Sequence, residues 1–132
     1  MQKYVYPAIF TPEEGGKFSV DFPDLEGCYT CGDDLAHAIY MAEDVLAMVL
    51  YEHERDGSPI PAPSDVKKLK VPAGSFSNLI MCDTLWYHKK HNASSVKKTL
   101  SIPAYLNDAA TAAGINFSQV LQDALKEMLH LA

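Results

Sequence analysis

A chain of 132 residues with 48% hydrophobic and 21% charged side chains is long enough for one full domain or two small ones, and too apolar to be a disordered tail. The longest apolar run, Val45–Tyr51, is far too short to cross a bilayer, no basic-then-apolar leader opens the sequence, and three cysteines argue against a disulfide framework, so the expected compartment is the cytoplasm, with no membrane partner. A net charge of −6 argues against nucleic-acid binding until it is divided along the chain: residues 1–64 carry three basic side chains against twelve acids, whereas residues 65–100 carry seven lysines against two acids.

Residues 3–10, rich in β-formers, predict a strand that Pro7 demotes in part to an edge or bulge. Glu13-Glu14-Gly15-Gly16 is the turn, and Lys17–Phe22 alternates as the returning strand of a hairpin. Pro23–Gly27 breaks the pattern, and Cys28–Cys31 reads as a short third strand. Gly32-Asp33-Asp34 then opens a long helix that runs to Arg55 and stops at Asp56-Gly57. Its apolar stripe is Leu35, Ala38, Ile39, Ala42, Leu46 and Val49, which leaves His37, Tyr40, Asp44 and Ala47 near the opposite face. The prolines at 59, 61 and 63 mark an extended connector, Ser75–Thr84 a strand that returns to the sheet, and residues 85–95 a strand end running into a linker.

From Val96 onward the pattern is one strand and two helices. Lys97, Thr99 and Ser101 alternate with Lys98, Leu100 and Ile102, so one side of the strand is polar. Pro103 suits the first position of a helix whose face is Leu106, Ala109, Ala110 and Ala113, and Gly114 follows where a left-handed cap is wanted. Asn116 is an N-cap, Gln119 the second member of a capping box, and Ile115 with Val120 a hydrophobic staple. The next stripe is Phe117, Val120, Leu121, Ala124, Leu125 and Met128.

One strand and two short helices cannot close a core, so this segment needs a twin. Antiparallel pairing of two copies would bury Leu100, Ile102, Leu121 and Leu125 as a dimer core and present Lys97, Thr99 and Ser101 outward on a two-stranded ribbon. Such a ribbon fits a DNA major groove, where those three residues would read bases, while the helix start at Asn116, Phe117 and Ser118 would hold a phosphate.

Other constellations carry less. Asp21 and Asp24 lie at a strand end, but a two-metal nuclease needs further carboxylates, and residues 1–10 and 76–82 supply none. Cys28 and Cys31 have zinc-ligand spacing that Cys82 with His88 or His91 could complete; half-buried strand positions explain the cysteines equally well. Gly15-Gly16-Lys17 lacks the long glycine-framed loop of a phosphate binder. No catalytic residue, metal or cofactor is expected.

Lys97-Lys-Thr-Leu-Ser-Ile-Pro103, with Gly114-Ile-Asn-Phe-Ser-Gln119 after it, resembles a ribbon-helix-helix DNA-binding domain. Tyr4–Ala8, Phe18–Asp33 and the helix from Leu35 to Glu54 resemble the head of HicB-family antitoxins, and the two resemblances together cover nearly the whole chain. They imply an α+β protein. A β-β-β-α-β, partly ribonuclease-H-like, toxin-binding domain at 1–84 is followed by a linker at 85–95 and a ribbon-helix-helix at 96–132. The family binds and silences a small basic HicA toxin that cuts mRNA, and represses its own operon. The implied partners are a HicA-like toxin, operator DNA, and a second copy in a homodimer or a tetramer built from two. The acidic head is the natural complement of a protein that grips RNA phosphates, and the exposed head-helix acids Asp34 and Asp44 are the expected toxin contacts. The other reading is a stand-alone ribbon-helix-helix regulator with a sensing head.

Overall fold

Alternation in the first strand sets the architecture of the N-terminal half. β1 (Lys3–Pro12) turns Tyr6, Ala8 and Phe10 to one side, where all three are buried. β2 (Phe18–Asp21) pairs antiparallel with β1 from Ile9↔Asp21 to Pro12↔Phe18, and β3 (Tyr29–Gly32) pairs with β2. β4 (Phe76–Asp83) lies on the other flank of β1, antiparallel, from Lys3↔Asp83 to Phe10↔Phe76, giving a strand order β3-β2-β1-β4. Pro7 sits opposite Leu79 of β4 but beyond the last residue paired with β2, so the expected edge character holds for that part of β1 alone.

The structure, a computed structural model, describes residues 2–92 and 94–131, and falls into two units, residues 1–94 and 95–132. In the first, helix α1 (Leu35–Asp56) crosses the buried face of the sheet. Asp34 caps it by accepting the His37 N–H at 2.7 Å. Ala38, Ala42, Leu46, Ala47 and Leu50 pack against Tyr6, Phe10, Val20, Ile80 and Cys82, and Phe22, Leu25 and Cys28 close the end of the core. Small residues at 38 and 42 let the helix approach closely, and at Gly32 the approach leaves no room for a side chain: a Cβ there would meet Ala38 N at 2.3 Å. Leu35, expected in the buried stripe, is 43% exposed, and Ala47, expected outside, is buried.

A second helix covers that flank. Residues 84–91, expected as a strand end and linker, form α2 (Thr84–His91), which packs on α1. Asp83 starts it, its Oδ1 accepting the amides of Leu85 (2.9 Å) and Trp86 (3.3 Å). Thr84 Oγ1 is fully buried, accepting the Gln2 N–H at 3.0 Å and donating to the Gln2 carbonyl at 3.1 Å. The side of α2 toward α1 runs Thr84 (buried), Tyr87 and His88 (half-buried) and His91 (exposed), a helical spacing that polar composition conceals. Among the described residues no helix is long and apolar enough to cross a membrane.

The second unit holds α3 (Ala104–Ala112) and α4 (Phe117–Met128). Pro103 occupies the N-cap of α3, one place before the position expected for it. Gly114 (φ 70°) ends it in a Schellman motif, the amides of Gly114 and Ile115 returning to the carbonyls of Thr111 and Ala110. The expected strand at Lys97–Ile102 is not formed by the single chain: a ladder needs a partner, and residues 96–102 have none within one copy.

Candidate functional site

The C-terminal unit has polar helix ends in good order and no interior. Asn116 Oδ1 accepts the Gln119 N–H at 3.1 Å, as a cap should, but Gln119 turns its own amide to Asp123 Oδ1 (2.8 Å) and leaves the capping box half made. The amides of Phe117 and Ser118, which no helical carbonyl can reach, stand at the positive end of α4. Among the described residues of this unit only Ala110 and Leu121 are even half-buried. Leu100 is 62% exposed and Val120 55%.

These apolar groups are not scattered. Leu100 and Ile102 lie with Phe117, Val120, Leu121 and Ala124 around one open groove of about 460 Å³, with Lys98 and Ser118 on its rim. The structure therefore brings together three of the four expected dimer-core residues, whereas Leu125 lies outside the groove lining. Covering such side chains releases ~1.5–3 kcal/mol each, so the unit is far from its most stable state while alone. Lys97, Thr99 and Ser101 are all exposed on the segment that precedes α3.

Charge in the N-terminal unit differs from the expected map. Residues 1–94 hold fourteen acids against eight lysine and arginine residues, and residues 95–132 hold three of each. Lys67, Lys68, Lys70, Lys89 and Lys90 thus belong to the acidic unit, leaving Lys97 and Lys98 as the positive charge near the ribbon segment. Lys90 is engaged where it stands. Its ammonium donates to Tyr40 Oη (2.9 Å) and lies 4.8 Å from the Trp86 ring centre, and the Tyr40 bond raises its pKa.

The two acids expected to meet a toxin have other engagements. Asp34 is exposed but spends its Oδ1 on the α1 cap. Asp44 is not the exposed acid expected: it faces α2, its Oδ1 shielded and without a hydrogen-bond donor, 3.9 Å from His91 Nε2. The covering helix, unseen in the sequence, explains the difference. His88 stacks on Tyr51 at 5.2 Å beside it.

No metal centre assembles. Cys28, just before β3, is buried and Cys31, within it, is exposed, and the described residues contain no cluster of three or more His, Cys, Asp or Glu side chains able to hold an ion. Burial pushes the Cys28 and Cys82 thiols up to about 12, far from the thiolate a metal or a nucleophile needs. Asp24 accepts the Ser64 amide (2.8 Å) and hydroxyl, so it pins the connector to the turn between β2 and β3.

The family model of the HicB-like antitoxins of bacterial toxin–antitoxin systems matches residues 6–124. The chain is 33% identical over 78 residues to Antitoxin HicB 1 of Photorhabdus laumondii subsp. laumondii, a match covering 58% of this chain and half the length of that relative. It superposes with a TM-score of 0.63 and 25% identity on a chain of a toxin–antitoxin complex from Streptococcus pneumoniae, over 96% of this chain and 99% of that one. A chain of a HicA3 and HicB3 toxin–antitoxin complex gives 0.51 at 26% identity, over 61% and 99%.

Proposed function

The chain belongs to the HicB-like antitoxin family of bacterial toxin–antitoxin systems, and from that premise we propose that it works from both ends: the acidic head neutralises a HicA-like mRNA-cleaving toxin, and the C-terminal unit represses its own operon. As an antitoxin it is not an enzyme. The observation that carries the reading is that no described residue of the C-terminal unit is buried, while Leu100, Ile102, Phe117, Val120, Leu121 and Ala124 gather at one groove. A second copy completes it as a ribbon-helix-helix. The Lys97–Ile102 segments pair antiparallel, Leu100, Ile102, Leu121 and Leu125 turn inward, and Lys97, Thr99 and Ser101 face the major groove. The Asn116, Phe117 and Ser118 end of α4 takes a backbone phosphate.

Thr and Ser discriminate bases more softly than a bidentate Arg or Asn, so DNA shape shares the specificity. The head, a cut-down ribonuclease-H-like sheet in this reading, carries the acid excess that draws in a protein made to hold RNA. Co-expression with the neighbouring open reading frame tests both ends. The expected result is a stable complex that protects mRNA and retards promoter DNA, less so as salt rises. A monomer that ignores both toxin and duplex DNA would sink the proposal.

A further inference from the structure

The two edges of the sheet are treated differently. β3 is four residues long and backed closely by the start of α1, whereas β4 is eight residues long, contains no proline or lysine, and has its one charge at its last residue, Asp83. Leu79 and Met81 on it are 50% and 58% exposed. Natural sheets usually blunt such an edge with charge, proline or a bulge. Two features bear on it here: the short helical turn Val66–Lys68 approaches β4, and the Leu79 N–H, turned away from β1, is donated to the neighbouring Asn78 Oδ1 at 2.9 Å. Because ladder and outward groups alternate along an antiparallel strand, Ser77 and Met81 present their main-chain groups to the same side.

Where β4 runs into α2, a groove of about 220 Å³ opens beside this edge. Met81, Ala47 and Trp86 give it apolar walls, and Glu43 and Asp83 set two acids against the one cation, Lys3. Two heads meeting here would each bring a net six negative charges, the fourteen acids less eight bases counted above, and would repel. A cationic partner meets no such opposition.

We propose that the free edge of β4 is the strand-addition site for the toxin, an inference that rests on the antitoxin reading above. An extended segment of the toxin lies along Ser77, Leu79 and Met81, its carbonyl displacing Asn78 Oδ1 from the Leu79 amide. A lysine or arginine of that segment reaches Glu43 and Asp83, its aliphatic stem resting on Ala47 and Trp86.

Leu79→Pro tests this directly in the full-length protein. The substitution removes an outward N–H and no ladder bond, so the fold survives, while the ring blocks an incoming strand. The probe is the product of the neighbouring open reading frame, in a form without nuclease activity, titrated by calorimetry. Leu79→Pro should weaken binding about a hundredfold, and Leu79→Ala, which keeps the amide, by no more than about threefold. Should Leu79→Pro unfold, Met81→Arg, at a side chain already in water, carries the same expectation.

Folded edge variants that bind toxin like the unaltered chain overturn the site, as does a result in which they change only the native mass, which would give the edge to a second copy. An unaltered chain that fails to bind toxin overturns the antitoxin reading itself, and the two failures are thereby told apart.

Discussion

At Gly32 one methyl group would have to occupy space held by main chain, 2.3 Å from Ala38 N and 2.5 Å from Ala38 Cα. Backbone cannot swing aside as a flexible side chain can. Gly32→Ala should therefore cost the head ~2–3 kcal/mol, seen as a lower urea midpoint at unchanged slope. Tyr4 makes a prediction about pH. Its hydroxyl, withdrawn from water and donating to Glu54 at 2.9 Å, is pushed up to about 12, as burial also pushes the Cys28 and Cys82 thiols. In the unfolded chain these groups ionise near their ordinary values of 10.0 and 9.0. The unfolded state therefore gives up protons first as pH rises. The stability linked to them is complete below the unfolded values and is lost between about 9 and 12. Urea midpoints should fall over that window. Tyr4→Phe should make the fall shallower, at a cost of ~1 kcal/mol at neutral pH for the lost bond to Glu54.

Among the elements, α2 is held by groups that can be removed singly. Thr84→Val keeps the shape and strands the Gln2 N–H, while the Gln2 carbonyl retains the Thr84 main-chain N–H at 3.2 Å, so it should cost ~1–3 kcal/mol and speed hydrogen exchange in α2 ahead of the sheet. This helix also marks the limit of what the sequence discloses. Strands β1, β2 and β4 and helix α1 are legible because burial on one side writes itself as alternation or as a 3.6-residue stripe. The side of α2 toward α1 is Thr84, Tyr87, His88 and His91, of which Thr84 alone is fully buried, and hydrophobic periodicity passes over it, although Asp83 stood in place as its cap. The unseen helix then misplaces what it covers, Ala47 and Asp44 on α1. In the tail, the gathering of Leu100, Ile102 and Leu121 around one groove was legible for the opposite reason: apolar residues at strand and helix spacing with nothing opposite them. The main-chain capping of the β4 edge by Asn78 left no mark in the sequence, because it depends on which way one amide faces.

For the molecule as a whole, the proposed pairing of two tails and its grip on DNA should fail separately. Leu100→Asp places a charge where two chains are to meet. It should leave the head's melting unchanged while sedimentation shows a monomer and promoter binding is lost. Lys97→Ala should keep the dimer, cost ~1–3 kcal/mol in specific DNA binding and flatten the preference for promoter over random duplex. The proposed pairing of two tails would also give the protein a means of gauging abundance. Well below the dissociation constant, the completed form rises with the square of chain number, so when the pool is halved, three-quarters of the completed tails vanish. Transcriptional silencing built on that form would lift steeply as the antitoxin is degraded, and return just as steeply once synthesis catches up.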